Sequence, residues 1–180
     1  MGVAYIGLGS NLGNRRENLL QAWRRLGEND AVSLLALSEP YRTEPVGMES
    51  TNWFMNAVGC IRTTLEPEEL LQQLLAIEAS LGRIRERGPA PQDRPLDLDL
   101  LYWGDRVSDD PRVILPHPEI ARRLFVLVPL AEIGPDVRHP VLQKTSLEML
   151  ARCRAEFSGA RPESQVRKMS WTKETGEVLP

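Results

Sequence analysis

The sequence predicts an α+β fold, an antiparallel sheet with helices packed on it, and three observations lead there. Short apolar or alternating runs, the mark of strands, interleave with two amphipathic helical stretches in the order β-α-β-β-α-β. A helical extension follows them. The chain of 180 residues, 42% of them hydrophobic, suits one core that buries roughly two-thirds of the unfolded surface.

Taken in order, Val3 to Leu8 is an apolar run closed by Gly7, Gly9 and Asn11, a buried first strand and a glycine turn. Asn14 is placed to cap a helix, with Glu17 three residues on as in a capping box. Leu19, Leu20, Trp23 and Leu26 recur at helical spacing up to Gly27. Val32 to Leu37 reads as the second strand, and 41–53, interrupted by glycine and proline, as a long loop. Asn56 to Thr64 alternates as a third strand. Pro67 opens a second helix whose stripe is Leu70, Leu71, Leu74, Ile77 and Leu81, stopped by Gly82. The stretch 83–95 is a second long loop, and Leu96 to Trp103 a fourth strand.

Beyond it, Val113 to Leu115 reads as a short strand and Pro116-His117-Pro118 as a rigid turn. Ala121 to Ile133 is helical, interrupted by Pro129, and Ser146 caps a last helix to Cys153. The pattern matches a ferredoxin-like sheet with helices on one face, plus a C-terminal helical extension. We expect one domain over 1–157 and a loosely ordered tail over 158–180.

Composition narrows the function. A net charge of −3 speaks against broad capture of nucleic acid or anionic membrane. The two cysteines, Cys60 and Cys153, stand in no metal-binding spacing and read as buried thiols of a cytoplasmic protein. No run approaches the roughly 20 apolar residues of a membrane span.

The run Gly7 to Gly13 is one residue too long for a dinucleotide fingerprint, and no G-K-[S/T] marks a P-loop. We read it as a glycine turn between strand and helix. Asp97-Leu98-Asp99 carries the sharpest chemistry. On a strand the two carboxylates share a face with Cβ atoms roughly 6.5–7 Å apart, while Leu96, Leu98 and Leu100 face the core. Like charges this close call for a cation, and magnesium accepts one or two carboxylates with phosphate oxygens and water. D-x-D alone is equally the wet face of an edge strand. Arg83, Arg85, Arg87 and Arg94 lie just upstream, and a guanidinium fork matches phosphate. Of these Arg87 reads as solvated charge and Arg94 as part of a polyphosphate site. His117, held between two prolines, is suited to donate to a phosphate oxygen, whereas His139 reads as structural.

Together these residues resemble the 6-hydroxymethyl-7,8-dihydropterin pyrophosphokinase family. The likeness runs through residues 4–13, Tyr41-Arg42-Thr43-Glu44-Pro45, Phe54-Met55-Asn56-Ala57, Ile77-Glu78, Gly82-Arg83, Arg94 to Leu101, Pro116-His117-Pro118 and Arg123 to Leu130. It implies transfer of the β,γ-diphosphate of ATP to the pterin hydroxymethyl group in folate synthesis. It also implies two magnesium ions on Asp97 and Asp99, with Arg94, Arg83 and Arg85 on the phosphates. Glu78, Leu100, Arg112, Ile114, His117 and Arg123 match positions around ATP. Phe54 and Phe125 would sandwich the pterin, Asn56 would read its edge, and Thr43, Glu44 and Val46 would complete the pocket.

The expected partners are ATP and 6-hydroxymethyl-7,8-dihydropterin, with no nucleic acid, no membrane and a monomeric state. The chain departs from many members at Ala90-Pro91-Gln92-Asp93, where they carry a Trp-Gly-Pro run, and Trp53 and Trp103 are candidates to compensate. Leu75 stands where some members place a polar residue near adenine. The alternatives are a ferredoxin-like module binding RNA or a metabolite, and a D-x-D nuclease or glycosyltransferase. The first lacks paired aromatics on adjacent strands, and the second leaves Phe54, Asn56 and Phe125 without a task.

Overall fold

A computed structural model describes residues 1–48, 50–84, 92–157 and 166–172. The elements are β1 (Gly2–Ser10), α1 (Arg15–Leu26), β2 (Val32–Leu37), β3 (Tyr41–Thr43), β4 (Phe54–Thr63), α2 (Pro67–Ser80) and β5 (Asp97–Trp103). A 3-10 turn (Ile120–Arg122), α3 (Leu124–Ile133), α4 (Ser146–Phe157) and a short strand β6 (Arg167–Lys168) follow. The sheet runs β5-β1-β4-β3-β6, with β2 also on β4, and its pairs are antiparallel. The order β5-β1-β4-β2 is the expected ferredoxin-like arrangement. β4 serves two neighbours because it is long: Gly59 to Thr63 pairs with β2 and Phe54 to Asn56 with β3.

Local signals set the helices as the sequence foretold. The Asn14 side chain accepts the Glu17 N–H at 3.3 Å at the start of α1, which buries Leu19, Ala22 and Leu26. The α2 stripe of Leu70, Leu74 and Ile77 is buried, and Gly82 (φ +87°) turns the chain away in the left-handed region. These helices cover one face of the sheet, meeting Ala4, Ile6, Leu8, Met55, Ala57, Ile61, Leu98 and Leu100.

The structure departs from expectation at several points, each with a cause. Helices occupy both faces: Val58, Leu101 and Tyr102 pack on Leu124, Leu127 and Leu130 of α3 and on Met149 and Cys153 of α4. A register slip beside Tyr5 and Ile6 leaves Leu101 as an extra residue, so that Leu101 and Tyr102 both join this second cluster. Gly7 and Gly9 lie inside β1, paired on both sides, and the glycine with left-handed φ is Gly13 (+64°). Residues 41–43 form β3 because β2 ends at Leu37 and leaves half of β4 free. Val113 to Leu115 makes an isolated bridge, Ser108 to Leu115, instead of a strand.

The cap of α4 is Thr145, one residue earlier than expected. Its N–H donates to Glu148 at 2.7 Å, and its hydroxyl accepts the Glu148 N–H at 3.2 Å. Residues 166–172, within the stretch expected to be loosely ordered, dock on the sheet edge. β6 pairs with β3, the Trp171 indole N–H donates to the Ser38 carbonyl at 2.7 Å, and Arg16 donates to the Ser170 carbonyl. Among the described residues no helix is long and apolar enough to cross a membrane.

Candidate active site

Strand alternation builds the site. Ala4, Ile6 and Leu8 point to the α1/α2 side, so Gly7 and Gly9 point to the other, where α3 leaves part of the sheet uncovered. There a cleft of about 760 Å³, its open mouth included, is lined from β1, β3, β4, β5, α3 and the loops after β3 and before β5. The glycines form its floor. In the register, Gly7 lies between Val58 and Asp99, and Gly9 between Asn56 and Asp97. A methyl group on Gly9 would stand 3.0 Å from Asn56 Oδ1, and one on Gly7 3.7 Å from Asp99 Cβ. The missing side chains are what open the trough.

One end of the trough is suited to a flat ring. Phe54 from β4 and Phe125 from the first turn of α3 line it, together with Thr43, Glu44, Val46 and Met48. Asn56 is buried there and donates to the Thr43 hydroxyl at 2.8 Å, which fixes its amide. The Arg94 guanidinium lies 5.5 Å from the Phe54 ring centre and that of Arg123 5.7 Å from Phe125. Two cations thus stand where the aromatic end meets the carboxylates.

The other end holds Asp97 and Asp99. Asp97 receives Arg94 at 2.7 Å and also Arg83. Arg83 bridges to the buried Glu78, whose carboxylate accepts the Leu98 N–H at 2.7 Å. Asp99 has no ion-pair partner among the described residues. Burial first, and then the negative charge of Asp97, raise its carboxyl above the ordinary range, against the pull of His117 and Arg123. Buried charge that repels itself is a place for a cation. Both donors are hard oxygens, and among the described residues no group of three or more His, Cys, Asp or Glu surrounds them. The pair therefore fits a magnesium-type ion that takes its remaining ligands from phosphate and water.

The loop before β5 is anchored from both sides. Asn11, fully buried at the end of β1, accepts the Arg94 N–H on Oδ1 at 2.7 Å and donates its own N–H to the Arg94 carbonyl at 3.1 Å. The Asn18 amide holds the Pro95 carbonyl at 2.9 Å. Asp93 accepts from the Asn11 amide at 2.5 Å and from the Asn52 amide at 2.6 Å.

A sequence profile of the 7,8-dihydro-6-hydroxymethylpterin-pyrophosphokinase family matches residues 5–135. The chain belongs to this family. It is 47% identical over 135 residues to the 2-amino-4-hydroxy-6-hydroxymethyldihydropteridine pyrophosphokinase of Methylorubrum extorquens, covering 74% of this chain and 84% of that one. The Bacillus subtilis protein of the same name is 44% identical over 131 residues, covering 73% and 77%. The fold is similar to that of wild-type Plasmodium falciparum HPPK-DHPS crystallised with pteroate, with a TM-score of 0.70 at 13% identity. That match covers 87% of this chain, which spans 45% of the larger one.

Within this pyrophosphokinase fold, the cleft gathers Thr43, Glu44, Val46, Phe54, Asn56, Arg94, Asp97, Asp99, Arg123 and Phe125. Arg83 and Glu78 sit behind Asp97 through their ion pairs. His117 is outside the lining, its N–H on the Leu101 carbonyl at 3.0 Å, yet its charge is felt at Asp99. Leu100 turns its side chain into the α1/α2 core. Arg112 is exposed and paired with Asp110 at 2.6 Å, and Ile114 is exposed. Arg85 lies outside the described residues.

Of the two tryptophans, Trp103 packs against Gly2 and donates to the Leu65 carbonyl, away from the cleft. Trp53 stacks under Arg15 and Arg42, at 4.1 and 4.3 Å, beside the cleft instead of in it. Sequence reasoning missed Gly7 and Gly9 as floor, Met48 as wall, and Asn11 and Asp93 as anchors. For the glycines a signal existed: they alternate with Ile6 and Leu8 at the period of a strand.

Proposed function

We infer that the protein transfers the β,γ-diphosphate of ATP to the hydroxymethyl oxygen of 6-hydroxymethyl-7,8-dihydropterin and releases AMP. One observation carries the reading: a pocket for a flat polar ring opens directly onto paired carboxylates set among arginines, in a chain of this family. Phe54 and Phe125 supply the π-faces, and Asn56, its amide already oriented by Thr43, reads the ring edge. Thr43, Glu44 and Val46 close the pocket, which directs the hydroxymethyl group toward Asp97.

Asp97 and Asp99 hold two magnesium ions, which when bound neutralise phosphate charge and organise the β-phosphorus for in-line attack. Arg94 and Arg83, now on Asp97, are positioned to turn to phosphate oxygens, joined by Arg85 and by Arg123 from the α3 side. For the base of ATP, β5 offers an edge. Leu98 turns its N–H outward to Glu78, so Leu100, two residues on, turns its main chain outward as well. His117, Arg112 and Ile114 flank that edge. The attacking oxygen forms its bond to Pβ as the Pα–O–Pβ bridge breaks toward AMP. Alignment, charge neutralisation and shielding from water supply most of the rate. The buried free thiols Cys60 and Cys153 agree with a reducing, cytoplasmic setting.

The test is to incubate the protein with ATP, magnesium and the reduced hydroxymethylpterin, omitting each in turn. AMP should appear only in the complete mixture. ADP, or hydrolysis at the same rate without pterin, would overturn the reading.

A further inference from the structure

We propose that Asp93 is a positioning residue of this enzyme, a carboxylate that ties the pterin-side loop to the phosphate-side loop and thereby sets Arg94. The inference rests on the pyrophosphokinase reading and goes beyond it, because Asp93 touches no reacting group. Each carboxylate oxygen has a separate task. Oδ1 accepts the Asn11 amide at 2.5 Å and Oδ2 the Asn52 amide at 2.6 Å. Ser50 also donates to it, and Ser50 accepts the Asn52 N–H at 3.0 Å, so the loop after β3 is drawn in at two residues.

The bond to Asn11 decides an orientation. An asparagine side chain offers a donor end and an acceptor end, and which way it turns depends on its neighbours. Asp93 can only accept, so it claims the NH2 end. The carbonyl end of Asn11 is then left to accept the Arg94 N–H at 2.7 Å, while the Asn11 N–H holds the Arg94 carbonyl. Arg94 is thus gripped on both main-chain groups, and its guanidinium meets Asp97 at 2.7 Å. The chain of contacts runs Asn52, Asp93, Asn11, Arg94, Asp97, from the loop beside Phe54 to the carboxylate pair. Ordinary surface carboxylates pair with a cation in water and contribute little. This one instead accepts from side chains of β1 and of two different loops, and it stands where many family members carry the proline of a Trp-Gly-Pro run. The link is a feature of this chain's own loop.

The experiment is a double-mutant cycle of Asp93→Ala and Arg94→Ala on the full-length protein, with AMP release followed at saturating ATP and magnesium. Misplacing a reacting group's partner by about 1 Å costs on the order of 100-fold, so Asp93→Ala should lower kcat about 10- to 100-fold. The KM for pterin should stay within about twofold, since binding is common to ground and transition states. In the Arg94→Ala background the same change should have almost no further effect. Asp93→Asn, which keeps one acceptor and loses the other, should fall between wild type and alanine. If Asp93→Ala does not fold, Asn52→Ala removes the loop arm alone and should repeat the non-additivity more weakly. Additive losses in the two backgrounds, or an unchanged kcat in folded Asp93→Ala, overturn the proposal. Failure of the wild type to form AMP in the same assay overturns the reading of the enzyme instead.

Discussion

The two faces of the sheet are made by the same strands and differ in the parity of their residues. On the α1/α2 side Ala4, Ile6 and Leu8 of β1 meet Leu98 and Leu100 of β5 in a dry core. On the other side the intervening residues are Gly7, Gly9, Asp97 and Asp99, and that face opens into the cleft. A strand that must both fill a core and floor a site can do so by alternating leucine with glycine or aspartate, and the Gly-Leu-Gly and Asp-Leu-Asp runs are two registers of that device. The rigid face holds the reactive one in place. Repulsion between buried carboxylates and an unfilled trough are tolerated because the opposite side of the same residues is packed.

The largest effects should come from changing the charged parity alone. Asp97→Asn and Asp99→Asn should each cut AMP formation by about 100- to 1000-fold or more, measured at saturating substrates. They should separate in stability without metal. Asp97 is paired with Arg83 and Arg94, so its loss should cost stability, whereas the loss of Asp99 should leave stability equal or higher. A pH titration of metal-free protein sharpens this. The Asp99 carboxyl is raised in the folded state, so the native protein holds that proton more tightly than the unfolded chain. The contribution of Asp99 is therefore most favourable below the unfolded carboxylate value of about 3.9, and it declines as pH rises through the raised folded value. Asp99→Asn should flatten that decline in chelator-treated protein, and a wild-type slope in the variant would contradict the assignment.

Next in size is the aromatic end. Phe54→Ala and Phe125→Ala should each weaken binding of a non-reactive pterin analogue by roughly 2–3 kcal/mol, about 30- to 150-fold, with ATP binding unchanged. Phe125 sits in α3 against the second cluster, so its variant needs circular dichroism before its affinity is read. Unchanged affinity in two folded variants would place the pocket elsewhere.

How much of this was legible depended on whether a signal was local. Period-two leucines revealed β5, and period-3.6 leucines revealed α1 and α2. The side chain's direction then followed from parity, which is why Asp97 and Asp99 could be assigned a common face. α3 gave no such direction. Leu124, Val126, Leu127 and Leu130 are all buried around it, so its sequence does not say which layer it joins. β3 and β6 are short and carry Arg42, Arg167 and Lys168, so only their pairing with distant partners makes them strands. Site residues taken from the family's pattern fared by the same logic. Phe54, Asn56 and Phe125 converge from three-dimensional neighbours, while Arg112 finds Asp110 two residues away and stays on the surface.

A smaller effect compares one substitution on the two faces. Gly59→Ala would drive a methyl to 2.3 Å from the Trp23 ring, and Gly9→Ala would bring one to 3.0 Å from Asn56 Oδ1. The first should lower stability by about 1–3 kcal/mol in denaturant melts while the folded fraction keeps its turnover. The second should leave stability nearly intact and weaken pterin use about tenfold. Interchanged phenotypes would mean that the cleft is not floored by β1.

The most direct test of the whole account is the fate of the two transferred phosphorus atoms. ATP carrying distinguishable labels at the β and γ positions should deliver both to the pterin in equal amounts, with AMP unlabelled. A product bearing the γ label alone, with the β label left in ADP, would contradict it.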